Sequence, residues 1–373
     1  MGLITSQSNI NNDEVKRNFI ESLKSPKTKT NYINSLRYFM DFLKVDREDY
    51  AALMAAEPLM IQSRIIDYII YCRDVKRLSP GTIHTDAAAI KHFYSMNDIE
   101  LKWKKIHSFE GEFYRVVEDR AYTHQEIKKM VDIADIRDKA LLLLMASTGI
   151  RLGAIPPLQI KDLTPIDDLD LYQIEVYKKY KERYITYCTP ESKKAIDDYL
   201  DYRRRCGERI QDNTPLFRKL FDKYDSIQTA HPIPVTTSTI KNIVKELLDK
   251  SGIRPPARLT EEGIAAGKRP KRTNLPVIHG FRKFAITNMI RAKLEYNARE
   301  ILVGHSLKTL DLNYDRREQE ELLAEYTKAI DFLTIDDSNK LRREVQHYKV
   351  KASQFDELRA EIESLREMIN NRV

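Results

Sequence analysis

A chain of 373 residues exceeds one ordinary domain and suits two with a tail. Its 63 basic and 56 acidic residues leave a net charge of +7 and a pI near 9.0, an excess that permits a polyanionic partner without demanding one. No apolar run reaches membrane-span length and no secretory signal is visible. Cys72, Cys188 and Cys206 are too few and too scattered for a disulfide framework or a cysteine-based zinc site, so the expectation is a cytoplasmic chain with reduced thiols and no membrane contact.

In chain order, residues 1–12 are polar and rich in Asn and Ser, which predicts a flexible lead-in. Residues 13–110 read as helical throughout. Ile33, Leu36, Tyr38, Phe39, Phe42 and Leu43 recur at helical spacing after the Ser25-Pro26 start. Ile61, Ile65, Ile66, Ile69 and Ile70 mark a second helix. Ile83, Ala87, Ile90, Phe93 and Tyr94 mark a third, after Ser79-Pro80. Residues 111–121 read as a linker. Thr123 to Glu126 form a capping box that opens a second domain over residues 122–335.

In that second domain a helix through Ala140–Ala146 stops at Thr148-Gly149. Leu171–Tyr177 and Arg183–Cys188 alternate as two strands of a hairpin around a Lys-rich turn. Helices are predicted for residues 190–205, 238–250, 278–293, 297–303 and 318–333. The fold class is therefore mainly α with one small antiparallel β-sheet. Over residues 336–373, Phe355, Leu358, Ile362, Leu365 and Ile369 make a short heptad seam. Two readings of this tail stand: a coiled coil that joins copies of the chain, or a long helix folded back on its own domain.

Basic residues collect near the middle of the second domain. From Ala265 to Lys283 the chain carries Lys268, Arg269, Lys271, Arg272, Arg282 and Lys283 and no acid, which suits a nucleic-acid backbone. In the first domain Lys24, Lys27, Lys29, Arg37, Lys91 and His92 decorate the helices, and Lys27, Lys29 and Lys91 among them are candidate contacts for such a backbone.

Four short segments carry residues suited to attack on a phosphodiester. They are Thr148-Gly149-Ile150-Arg151-Leu152-Gly153-Ala154, His279-Gly280-Phe281-Arg282, Leu302-Val303-Gly304-His305-Ser306 and Asn313-Tyr314. The reaction builds negative charge on the non-bridging oxygens, needs an activated nucleophile and must protonate a leaving oxygen. Arg151 and Arg282 offer planar two-pronged donors to one phosphate. His279 and His305 hold or move protons, and the Tyr314 hydroxyl is a nucleophile. Any one of these residues alone would more often be structural; order and spacing together carry the argument.

The four segments resemble the tyrosine recombinase (phage integrase) family over residues 13–335, most closely between Ala146 and Tyr314. The resemblance implies a helical core-binding domain followed by a catalytic domain. It implies a two-domain clamp on double-stranded DNA at specific sites, active as a homotetramer and near the nucleoid if the host is a prokaryote. Tyr314 would form a 3′-phosphotyrosine, and a hairpin lysine would protonate the 5′ oxygen. Aligning Lys181-Glu182-Arg183 places that lysine at Lys178, with Lys179 and Lys181 as alternatives. The arginines and the lysine supply the positive charge, so no cofactor, metal or ATP is called for.

Ala154 stands where the family usually carries an acid, and Tyr177 and Lys179 replace the usual turn glycines. The biological role implied is integration or excision of a mobile element. The alternatives are nicking and resealing as in type IB topoisomerases, or a DNA-binding accessory protein without catalysis.

Overall fold

The computed structural model describes residues 11–112, 119–178, 182–253, 275–305, 319–336 and 359. The chain divides into two compact units, residues 1–116 and 117–373.

The first unit is helical: α1 (Asn12–Glu21), α2 (Pro26–Leu43), α3 (Pro58–Ile70), α4 (Pro80–Met96) and α5 (Trp103–His107). Ser25 and Ser79 cap α2 and α4 with their hydroxyls, each followed by a proline whose missing N–H costs nothing at a helix start. The core gathers Phe19, Leu36, Phe39, Met40, Ile61, Ile65, Ile69, Ile83, Ala87, Ile90 and Phe93, the apolar stripes that the sequence spacing marks. Tyr38 departs from that expectation: it is 57% exposed, because the core-facing side of α2 runs through Leu36, Phe39 and Met40. A polar tie crosses the core where buried Asp86 accepts from Ser35 Oγ (2.6 Å) and Tyr68 Oη (3.3 Å). Burial raises the Asp86 pKa, and the two hydroxyls oppose that shift.

The second unit is built around α7 (Ile136–Thr148), which is buried continuously from Ala140 to Thr148. A helix apolar on all sides needs cover on all sides. α6 (His124–Ile133), α8 (Pro190–Arg205) and α11 (His279–Arg291) pack against it. The capping box at Thr123 and Glu126 forms at the start of α6 as the sequence indicates.

The sheet has three antiparallel strands in the order β1 (Leu163–Ile166), β2 (Leu171–Val176) and β3 (Tyr184–Tyr187). β2 and β3 are the expected hairpin, with Val176 opposite Tyr184. β1 is an addition to it. Its Pro165 suits only an edge strand and hid the strand from pattern reading. Further along lie α9 (Ser226–Ala230), α10 (Thr237–Lys250) and α12 (Tyr296–Leu302).

The segment expected as one helix over residues 318–333 is α13 (Gln319–Thr327) and α14 (Ile330–Leu333). It lies on its own domain: Leu322, Tyr326 and Leu333 are buried, and Tyr326 Oη donates to the Ser147 carbonyl (3.0 Å). Glu191 then accepts from the Ile335 and Asp336 backbone N–H groups (2.8 and 3.1 Å). The heptad seam lies outside the described residues. Among the described residues no helix is long and apolar enough to cross a membrane.

Candidate active site

Two glycine turns frame the site. Gly149 ends α7 with φ +62°, and a Cβ there would stand 3.0 Å from the Ala285 Cβ, so the turn needs a residue with neither a Cβ nor a preference for negative φ. The chain leaves this turn directly into Arg151. Gly304, with φ +68°, follows α12, and a Cβ there would overlap the Tyr184 ring.

The two turns hold the two arginines. Arg282, one helical turn into α11 and only 5% exposed, donates through Nη1 to the Gly149 carbonyl (2.6 Å) and through Nη2 to the Val303 carbonyl (2.8 Å). Arg151 Nη1 donates to the Gly304 carbonyl. Guanidiniums fixed by backbone carbonyls keep their position without a ligand, which is the condition for electrostatic preorganisation. Burial first, and the positive charge of Arg151 second, lower the Arg282 pKa.

His279 opens α11, whose start is clamped from outside. Tyr122 Oη donates to the Val277 carbonyl (2.8 Å), and its ring packs 4.7 Å from the Phe281 ring. A Cβ on Gly280 would come within 2.5 Å of the Tyr122 ring, so the glycine allows that packing. Burial lowers the His279 pKa. Lys283, Arg282 and His305 lower it further, against an opposing pull from Asp119.

His305 Nδ1 lies 2.6 Å from Glu300 Oε2, and the His305 N–H donates to the Glu300 carbonyl (2.8 Å). The other carboxylate oxygen of Glu300 pairs with Arg299 Nε (3.2 Å). Ala154, where an acid was looked for, is buried and apolar.

Lys178 follows β2 at the hairpin tip, where its Nζ pairs with Glu175 Oε2 (2.7 Å) and Arg183 Nε pairs with Glu175 Oε1. Tyr177 ahead of it has φ +56°, the left-handed conformation for which glycine is usually used. Lys179 and Lys181 lie outside the described residues.

Sequence reading missed Tyr122, Tyr184 and Glu300. Each is an ordinary residue until the fold sets it against a motif glycine or histidine. Tyr184 is the most unusual: it is buried, its hydroxyl has no hydrogen-bond partner among the described residues, and burial pushes its pKa up to about 12 against the fields of Arg282 and Arg151.

The site therefore gathers Arg151, Arg282, His279 and His305 from three separated segments. Tyr314 lies outside the described residues, as do Lys268, Arg269, Lys271 and Arg272. In the first unit Lys27 and Lys91 are exposed, with the Lys91 ammonium 5.7 Å from the Trp103 ring centre, and Lys29 pairs with Glu21 (2.9 Å).

The chain is similar to known proteins in sequence and in fold. The model of the phage integrase family matches residues 120–320. Tyrosine recombinase XerC of Leptospira interrogans is 22% identical over 332 residues, covering 85% of this chain and 93% of the relative. Tyrosine recombinase XerC of Thermodesulfovibrio yellowstonii is 28% identical over 218 residues, 54% of this chain and 67% of the relative. Among solved structures, XerH recombinase bound to a palindromic difH substrate has a TM-score of 0.52 at 15% identity, covering 84% of each chain. The Tn1549 transposon integrase with transposon right end DNA has a TM-score of 0.52 at 16% identity, covering 83% of this chain and 97% of its own. Both share the fold. With the family model spanning more than half of its length, the chain belongs to the phage integrase family, the tyrosine recombinases.

Proposed function

We propose that the protein is a site-specific DNA recombinase that cleaves and rejoins strands through a 3′-phosphotyrosine, and that it integrates or excises a mobile element. The observation that carries this reading is the joint anchoring of Arg151 and Arg282 on the Gly149 and Val303–Gly304 turns, beside His279 and His305. A family with this fold and DNA-bound relatives such as XerH and the Tn1549 integrase supports duplex DNA as the substrate.

In this reading Tyr314 Oη attacks the scissile phosphorus. The Tyr314 Oη–P bond forms, the P–O5′ bond breaks, and the phenol proton passes to neutral His279. Arg151 and Arg282 hold the non-bridging oxygens, and His305, steadied by Glu300, adds a further donor. Lys178 exchanges Glu175 for the leaving 5′ oxygen and protonates it; Lys179 and Lys181 remain the alternatives. The 5′ hydroxyl of a partner strand then attacks the phosphotyrosine, which restores Tyr314. Bond energy stays in the covalent link, so the cycle runs without ATP. Two such exchanges join two duplexes, which calls for four protomers. Lys27, Lys29 and Lys91 in the first unit, with Lys268, Arg269, Lys271 and Arg272 in the second, contact the DNA backbone.

The test is covalent trapping on labelled, nicked fragments of the DNA flanking the protein's own gene, without metal or ATP. A slow-migrating adduct on a denaturing gel with wild type, absent with Tyr314→Phe, is the expected result. Tight, salt-sensitive binding by both proteins with no adduct would instead indicate a DNA-binding accessory protein. An adduct that reseals its own strand and never joins two duplexes would indicate topoisomerase-like chemistry.

A further inference from the structure

Within the first unit, two histidines converge on one buried acid. Glu110 is 4% exposed. Its Oε2 lies 2.8 Å from His84 Nδ1 on α4, and its Oε1 lies 2.6 Å from His107 Nδ1 at the end of α5. The two imidazole rings stand 5.4 Å apart. One ligand atom from each of the three residues falls within 4.8 Å of the others.

The charge on Glu110 is the point that requires explanation. A carboxylate removed from water needs a compensating positive charge. No arginine or lysine pairs with Glu110 among the described residues; its ion-pair partners are the two histidines, which are charged only when protonated. Arg73, which donates to the carbonyl of the adjoining Phe109 (3.0 Å), is committed to Asp74.

We propose that His84, His107 and Glu110 form a zinc-class divalent cation site. Two imidazole nitrogens and one carboxylate oxygen are the borderline ligands that Zn²⁺ prefers, and three protein ligands leave a fourth position for water. Ligand bonds of about 2.0–2.2 Å in a tetrahedron set donors about 3.3 Å apart. The two histidine nitrogens, now 2.8 and 2.6 Å from their carboxylate oxygens, would each have to draw back by about half an ångström or a little more. The exposure of His84, whose side chain is 53% accessible, gives the ion an entry path. The ion would neutralise Glu110 and tie α4 to the turn after α5, fixing the chain where it leaves the first unit. None of the three residues is assigned a step in the proposed strand cleavage, so cation binding here does not depend on that reaction.

The experiment uses the full chain purified with a tag free of histidine, stripped with chelator and titrated with Zn²⁺ against a chromophoric competitor. The expected result is one equivalent bound, weakened about tenfold or more in His84→Ala and in Glu110→Gln. Zn²⁺ should also raise the thermal midpoint of the wild type and leave that of His84→Ala unchanged. Because His84 is half-exposed, that variant keeps the fold, and it decides the matter if Glu110→Gln is too unstable to assay. Absence of binding, or tight binding that survives His84→Ala, overturns the proposal and leaves a clasp held by hydrogen bonds alone.

Discussion

The arginine pocket and the hairpin tip carry positive charge in opposite ways. Arg282 is buried with both terminal nitrogens on the Gly149 and Val303 carbonyls, and Arg151 is held by the Gly304 carbonyl. Lys178 sits on an exposed turn and shares the carboxylate of Glu175 with Arg183. Carbonyls in two glycine turns cannot move unless the turns unfold. The Lys178 ammonium, by contrast, is half-exposed and can leave its carboxylate for a phosphate at little cost. In the proposed reaction the pocket is thus built before DNA arrives, and the tip is recruited by it. Fixed donors suit charge that develops in place, whereas a proton donor must reach an oxygen that is departing.

The largest effects should come from replacing either cation, and chemistry can tell them apart. Arg282→Lys and Lys178→Ala should each slow adduct formation by about 10²–10³-fold. Replacing the 5′ bridging oxygen with sulfur gives a leaving group that needs no proton. That substrate should restore Lys178→Ala and leave Arg282→Lys impaired. Rescue of both variants would erase the distinction drawn here, and rescue by the sulfur substrate of Lys179→Ala or Lys181→Ala instead would move the general acid along the turn.

Next in size is the backbone itself. Gly304→Ala places a Cβ against the Tyr184 ring at φ +68° and should cost about 1–3 kcal/mol in denaturant unfolding. Combining it with Tyr184→Ala removes the overlap and leaves the backbone strain, so the two changes should be less than additive. Strict additivity would mean that the pocket is not held through Gly304. A smaller effect is expected at the tip: Glu175→Gln releases Lys178 and should change the cleavage rate by less than about tenfold. A loss as large as that of Arg282→Lys would show the tip to be as fixed as the pocket.

The contrast also marks what sequence could convey. The helical units, the β2–β3 hairpin and the clustering of Arg151, His279, Arg282 and His305 follow from local patterns, because caps, alternation and glycine turns act over a few residues. β1 escaped because Pro165 breaks a strand pattern yet is tolerated at a sheet edge. Tyr38 was misplaced because neighbouring aromatic residues on a helix face different ways. Glu300, Tyr122 and Tyr184 owe their roles to approach across the fold: Glu300 meets His305 only where α12 ends, and Tyr184 meets Gly304 only once β3 is paired. His84, His107 and Glu110 show the same limit, since α4 and the turn after α5 must pack before the three can meet.

The subtlest test concerns His279, which stands in the pocket and must be neutral to accept a proton. Burial, then Lys283 and Arg282, hold its pKa below the ordinary 6.5. A histidine with a depressed folded pKa favours the fold while neutral. Its contribution is complete above the unfolded value and is lost as pH falls through the folded one. An NMR titration of the DNA-free protein should therefore show the His279 ring charging below pH 6.5. Removing the second-largest cause, with Lys283→Met, should raise that midpoint, and Asp119→Asn should lower it, since Asp119 favours the charged ring. Opposite shifts from these two neighbours would show that the pocket's own positive charge keeps its base ready. An unchanged midpoint in both variants would leave burial, Arg282 and His305 to hold the ring neutral, with no share for Lys283 or Asp119.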